Sequence, residues 1–441
     1  MKRSSWLGMF LFGLGMRFQV LGSSLCFTEI FVYAAAPILF SSEWRYMRRN
    51  GMAVLFWLAL LTMFCSAVSC LANHSSQYAV LRGLAVTSVL PCAVVVCHWM
   101  LRRNLMSIKW MLLGWALSNF LCTFIFRQSV EVAMSSGGTA DDIMAGPIYW
   151  ISRVSSFVTL YPKGWYLQCP IVLSAMAPLG LAVFAMATSA SGRSAALGAI
   201  AAAGIVFLGG KSRAGIFRRF CRRFWLIVGL AVLGVLLANV FYRTAAQRGW
   251  LGESARTKYE AQTHGDKKAS VLKVLMGGRI EFFAGFYACL RRPLVGYGPW
   301  AIDYDGIYYD FLCKYGNPDD FEKYNRTREV EIMSGKLGMI PAHSYLVGFW
   351  LWYGVFGFIF WLYVIFVFLR YLRQDCYAVP QWFMWLAAGI PGYLWGVFFS
   401  PFADRVNAVM FIVACLMARA VRQGRQPLPR NMIMEILKHD R

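Results

Sequence analysis

Residues 225–241 read WLIVGLAVLGVLLANVF, an apolar run without a charged side chain. Barrel strands are short and alternate apolar with polar positions, and this run does neither. It reads as a helix suited to a hydrocarbon core. Eleven further runs surround it, at 6–22, 24–40, 52–71, 78–98, 110–127, 143–161, 166–189, 194–210, 345–369, 381–399 and 405–421. Most approach the roughly 20 residues that one crossing takes.

Composition points the same way. Of 441 residues, 59% are hydrophobic, 16% aromatic and 15% charged. A soluble domain carries roughly 25% charged residues. Mean hydropathy is +0.51. A soluble fold could not hide this much apolar surface. A disordered chain, a disulfide-stapled secreted domain and a cytosolic enzyme are excluded. The expected class is an all-α polytopic membrane protein with about twelve transmembrane helices and one large periplasmic loop.

The 44 basic and 21 acidic residues give a net charge of +23. Position argues against nucleic acid as the partner. The stretch 244–342 is nearly balanced, with 14 Lys/Arg and 12 Asp/Glu. Twenty-two other basic residues sit in the N-terminus, 41–51, 98–109, 211–223, 370–380 and 419–441. These are alternate ends of apolar spans, as the positive-inside rule requires. The excess charge orients the chain and meets anionic lipid headgroups.

The N-terminal MKRSS and WLGMFLFGLGM have the outline of a signal peptide. No small-x-small site follows, and Leu25-Cys26 lacks the small residue of a lipoprotein site, so a retained first span is expected. The sixth span contains Pro147 and Arg153, and parity supports it. Loops 98–109 and 211–223 are both basic and inside, so an even number of crossings separates them. Both termini are then inside, and 244–342 lies outside with Arg193. The chain divides into N-terminal helices (1–190), a region holding the large loop (191–421) and a basic tail (422–441).

None of the twelve cysteines forms a CxxC pair. Most lie in apolar spans, where cysteine acts as a small hydrophobe. Cys289 and Cys313 lie in the hydrophilic segment, where a disulfide is one option in an oxidising compartment.

The segment 244–342 is far longer than a connector needs, and long loops on a rigid scaffold often carry function. Residues 279–290 (RIEFFAGFYACL) predict an amphipathic or membrane-grazing helix with Ile280, Phe283, Tyr287 and Leu290 on one face. Pro293 ends it, and Gly296, Gly298 and Pro299 predict a tight turn. Tyr and Asp crowd 301–333. Such a patch suits a carbohydrate, and an ordinary solvated loop has the same composition. The histidines are scattered, and Asp303-Tyr304-Asp305 is the one acidic Asp-x-Asp, read as sugar-binding or solvated surface rather than a metal site. His343 stands where span ten begins, after a proline turn. The positive end of a helix keeps imidazole neutral, and a neutral imidazole can accept a proton. A structural histidine would occupy the same place.

These residues resemble the bacterial O-antigen ligase and O-antigen polymerase superfamily. HSYLVGFWLWYGVFG matches its His-[Asn/Ser/Gln]-x9-Gly-x-x-[Gly/Thr/Tyr] pattern through His343, Ser344, Gly354 and Gly357. GGRIEFFAGFYACLRRPLVGYGPW resembles its Arg-helix-Pro-Leu-x-Gly-x-Gly-Pro block through Arg279, Pro293, Leu294, Gly296, Gly298 and Pro299. SASGRSAALGAI resembles its Ser-rich turn through Arg193 and Leu197. The glycine expected after Pro299 is Trp300 here, and the usual Asn after the histidine is Ser344.

The resemblance implies a membrane glycosyltransferase of C-type architecture in the bacterial inner membrane, its active site facing the periplasm. The donor would be a glycan on undecaprenyl diphosphate. The acceptor would be a hydroxyl on lipid A-core or on a second lipid-linked glycan. Transfer would be inverting and need no cofactor or metal. His343 would be the general base. Arg193 and Arg279 would bind the diphosphate bidentately, with Arg291 and Arg292 as further contacts. Headgroup snorkelling is the alternative for these arginines. Ligase and polymerase share the donor. A lipid-linked sugar transporter, the alternative of another class, would show broken helices with intramembrane charges and two similar halves.

Overall fold

The computed structural model describes residues 12–13, 17–20, 23–103, 108–121, 280–303, 305–315, 339–341, 344–372, 380–399 and 405–423, with scattered positions at 10, 180 and 229–260. The expected spans 143–161, 166–189, 194–210 and most of 225–243 lie outside the described residues. The helices are α1 (Phe27–Arg49), α2 (Ala53–Ala72), α3 (Gln77–Arg103), α4 (Ile108–Phe120), α5 (Ile280–Arg291), α6 (Ile307–Tyr315), α7 (Tyr345–Tyr353), α8 (Val355–Arg370), α9 (Pro380–Phe399) and α10 (Arg405–Gln423). Among the described residues the architecture is all-helical apart from one small ribbon. There β1 (Arg17–Val20) pairs antiparallel with β2 (Ser23–Cys26). This corrects the ends of the expected spans 6–22 and 24–40.

Two segments, Ala53–Ala72 and Ala79–Arg102, are long and apolar enough to cross a membrane. The faces of α2 are inverted relative to a helix in water. Thr62, Ser66 and Ser69 are buried, while Trp57, Phe64 and Leu71 are 54%, 63% and 77% exposed. Large apolar groups outside and hydroxyls inside are stable where the surrounding solvent is itself apolar. On α8, Phe356, Ile359, Leu362 and Phe366 form a similar outward stripe. The interior is built on α3 and α10, which pack together. Residues 408–418 of α10 are all buried.

At one end of this core, Glu43 of α1 is fully buried between His98 and Arg102 of α3. The carboxylate lies 2.8 Å from His98 Nδ1 and accepts hydrogen bonds of 3.0 and 2.6 Å from Arg102. Residues 41–51 and 98–109, both assigned to one side from their charge, thus meet at one end of the helices.

The largest departure from expectation is at 345–369. One helix would separate residues 345 and 361 by about 24 Å at 1.5 Å per residue. Instead the rings of Tyr345 and Trp361 lie 4.9 Å apart, and those of Phe349 and Trp361 5.4 Å apart. The chain breaks at Gly354, and α7 folds back along α8 as a helical hairpin. Gly354 has φ +76°, and a Cβ there would stand 1.9 Å from the Leu294 carbonyl oxygen. The break exposes carbonyls that a lipid environment cannot satisfy. Ser69 Oγ donates to Trp352 O at 2.7 Å, and Thr62 Oγ1 to Phe356 O at 3.4 Å. The buried hydroxyls of α2 thereby partner the backbone around the break.

Two predictions follow from these packings. Gly354→Ala adds both a φ penalty and a backbone collision, and should cost about 3 kcal/mol or more, read as a lowered unfolding midpoint in detergent. Burial works to raise the Glu43 pKa, but the hydrogen bonds from His98 and Arg102 outweigh it and hold Glu43 below its ordinary value. Its stabilising contribution is therefore complete above the unfolded value of about 4.3 and lost as pH falls through the lower folded value. Glu43→Gln should cost about 3 kcal/mol at neutral pH, and the gap from wild type should close on acidification. A gap independent of pH would contradict the assignment.

Candidate functional site

The segment that organises the site is the turn 292–300. Pro293 follows α5, and Gly296 and Gly298 take φ of +75° and +82°. The turn fits into the α7–α8 break. Tyr297 N donates to Leu351 O at 2.7 Å, and Trp350 Nε1 donates to Pro293 O at 2.9 Å. A Cβ on Gly296 would lie 2.6 Å from Leu351 O, and one on Gly357 2.5 Å from Phe349 O. Pro293, Gly296, Gly354 and Gly357, from two separate motifs, are thus one close-packed joint. Gly298 sits against Ser75 and Asn73 in the α2–α3 connection.

On the expected apolar face of α5, Ile280 is buried while Tyr287 and Leu290 are exposed. The buried side is Ile280, Ala284, Gly285, Ala288 and Cys289. Small residues let the backbone approach α7 closely. A Cβ on Gly285 would be 3.2 Å from Val347. Cys289 and Cys313 are both free thiols, so the optional disulfide is absent. Cys289 is buried beside Val347 O, and burial pushes its thiol pKa up.

Ser344 begins α7. Its side chain accepts the Val347 N–H at 3.1 Å and donates to Val397 O at 3.1 Å. One hydroxyl caps α7 and ties it to the end of α9. This accounts for a short polar side chain at the motif position next to the histidine. At the same place Phe282 of α5 packs on Phe399 of α9, ring centroids 5.6 Å apart. The first described residues of α5 and α7 therefore meet at the C-terminal end of α9. The N-terminus of α7, capped by Ser344, carries the partial positive charge of a helix start.

Arg193, Arg279 and His343 lie outside the described residues. Arg279 directly precedes α5, and His343 directly precedes Ser344. Arg291 and Arg292 stand at the other end of α5, about 17 Å along it. They stand away from the first described turns of α5 and α7. Arg291 lies over Tyr287 at 5.2 Å, and the Tyr287 hydroxyl holds its pKa above the ordinary value. Arg292 lies over Tyr297 at 4.6 Å and donates to Asn73 Oδ1 at 3.2 Å.

Asp303 has a structural role. Its carboxylate accepts from the backbone N–H groups of Ile307, Tyr308 and Tyr309 at 2.7, 2.9 and 3.3 Å. It caps α6. Asp305 accepts from the Tyr297 hydroxyl at 3.4 Å. Among the described residues no group of three or more His, Cys, Asp or Glu gathers as a metal site would require. No family model and no curated protein matches the chain.

Sequence reasoning missed Asn73, whose amide donates to Gly296 O at 3.3 Å. Its position at a span end carries no local signal. It also missed the backbone of Trp300, which takes φ +56°. The motif asks for glycine there, and the tryptophan keeps a glycine-like conformation.

Ser344→Ala removes the cap and the tie to Val397, and should cost about 1–3 kcal/mol. Ser344→Asn restores a cap and should recover most of it. Thermal unfolding of the two variants distinguishes this from a role for the serine in chemistry alone.

Proposed function

We propose that this chain is an O-antigen ligase-like glycosyltransferase of the bacterial inner membrane. It moves a glycan from undecaprenyl diphosphate to a sugar hydroxyl of lipid A-core or another surface-glycan acceptor at the periplasmic face. The observation that supports this best is that the first described residues of α5 and of α7 both pack at the end of α9. Each of those helices is directly preceded by a residue the reaction needs, Arg279 and His343.

The chemistry follows from the residue types. The acceptor hydroxyl attacks the anomeric carbon and gives its proton to His343. The bond from that carbon to the diphosphate oxygen breaks, and the leaving group gains charge. Arg279 and Arg193 stabilise that charge, and the N-terminus of α7 adds to it. Fixed donors act without reorganising as the bond breaks, so most of their effect falls on the transition state. The joint at Gly354 serves this arrangement by folding α7 back beside α8 and α5.

Polymerisation would use the same donor and site. A transporter would also break a helix. The break at Gly354, however, is filled by backbone and by the neutral hydroxyls of Ser69 and Thr62. That neutral lining favours a structural joint over an ion or substrate path.

The test is a reconstituted assay with undecaprenyl-diphosphate glycan and either lipid A-core or a second lipid-linked glycan. Wild type should release diphosphate lipid. His343→Ala and Arg279→Ala should lose about 10²-fold or more of that rate while remaining folded. Capping of core identifies a ligase, and chain lengthening a polymerase. Full activity in both variants would refute the mechanism.

A further inference from the structure

At the surface, the end of α5 meets α6 and the turn 292–300. Tyr287 packs on Phe311 of α6, ring centroids 5.6 Å apart. The Asp303 cap fixes the start of α6, and with it the short loop that carries Asp305. Two arginines around the turn are engaged by its rings. Arg82 of α3 lies 4.7 Å from the centre of the Trp300 ring, and Arg292 lies 4.6 Å over Tyr297 and is tied to Asn73. Arg291 and Asp305 are held more loosely.

Tyr297 marks where the charges gather. It is buried, and its hydroxyl donates to Asp305 Oδ2 at 3.4 Å. Burial raises the Tyr297 pKa and the Asp305 charge raises it further, while Arg292 and Arg291 work to lower it. One phenol thus senses a carboxylate and two guanidinium groups. Arg291 senses the Asp305 charge as well. Neither of these two is spent on the other, because each is held by its own tyrosine. Arg291 lies 5.2 Å over Tyr287 and donates to its hydroxyl at 3.4 Å, and Asp305 is held by Tyr297. Both side chains are exposed, as is Tyr287. Among the described residues, Asp305 Oδ1 and the remaining N–H groups of Arg291 make no hydrogen bond.

The mixture of signs selects the ligand. A phosphate would meet the Asp305 carboxylate, and a free cation would meet Arg291, each a like charge at close range. A neutral hydroxyl both donates and accepts. It can give a hydrogen bond to Asp305 and take one from Arg291, and both bonds are charge-assisted. Neighbouring hydroxyls of one sugar ring can do both at once, with the Tyr287 hydroxyl as a third polar group.

We propose that Arg291, Asp305 and Tyr287 form a glycan-binding subsite for neutral, hydroxyl-bearing sugar residues. It rests on the transfer reaction proposed above for its purpose: a glycan reacting beside His343 would run along α5, about 17 Å, to reach it. Arg291 then serves the sugar chain rather than the diphosphate. Tyr297 is a positioning residue that orients Asp305.

The experiment uses the full chain in phosphatidylcholine nanodiscs. The probe is the lipid-free and phosphate-free oligosaccharide released by mild acid from the undecaprenyl-diphosphate glycan of the source bacterium, fluorescently labelled. Wild type should bind it, and Arg291→Ala and Asp305→Asn should each weaken binding about tenfold. Tyr297→Phe, which removes only the hydroxyl that holds Asp305, should weaken it about threefold. Arg48→Ala, an exposed cation on α1, should leave binding unchanged. Inorganic pyrophosphate in excess should not displace the probe. Absence of binding by wild type, wild-type affinity in Arg291→Ala or Asp305→Asn, or displacement by pyrophosphate overturns the proposal. If no protein transfers glycan while probe binding keeps this dependence, the subsite stands and the transfer reading falls. If wild type transfers glycan and Asp305→Asn does so with the same KM for it, the transfer reading stands and the subsite falls.

Discussion

Most of what is described depends on one close approach of backbone to backbone. The Leu294 carbonyl stands where a Cβ of residue 354 would be. Only glycine permits that contact, and only a left-handed φ lets the chain turn there. Because the turn 292–300 fills the break, α7 reverses along α8. Because α7 reverses, α5 can lie beside it on small residues, and the first described residues of both helices pack at the end of α9. Gly296 and Gly357 are close contacts of the same joint.

A break of this kind needs polar partners, and α2 supplies them from the inside. Ser69 and Thr62 donate to carbonyls on either side of Gly354, and Asn73 reaches the turn itself. Trp57, Phe64 and Leu71 of the same helix face outward. The two faces share one cause. Where the outer environment is apolar, large hydrophobic groups are stable outside as well as inside, and hydroxyls gain by turning inward to backbone partners. The cluster at Glu43 obeys the same logic, the buried carboxylate meeting Arg102 and the His98 ring.

The two ends of α5 have different characters. Its first described residues pack near the start of α7, and Arg279 and His343 each directly precede one of these two helices in the sequence. Its end carries stacked arginines, a strained tryptophan and exposed leucines. A helix of twelve residues separates them.

What residue order alone determined is what depends on local composition. Helical class, the bounds of α2, α9 and α10 to within a residue or two, the stop at Pro293 and the turn glycines all follow from runs of apolar residues and from backbone limits within a few positions. The hairpin at Gly354 was hidden because 345–369 is apolar throughout, and an unbroken apolar run looks the same whether the helix continues or folds back. The buried face of α5 was hidden because Ala284, Gly285 and Ala288 are weak as hydrophobes and matter only when another helix comes close. Asn73, Arg82 and Trp300 gained their roles from contacts more than two hundred residues distant in the chain. Tertiary structure alone decided those, because the energy lies in which surfaces meet, and no local pattern records the partner.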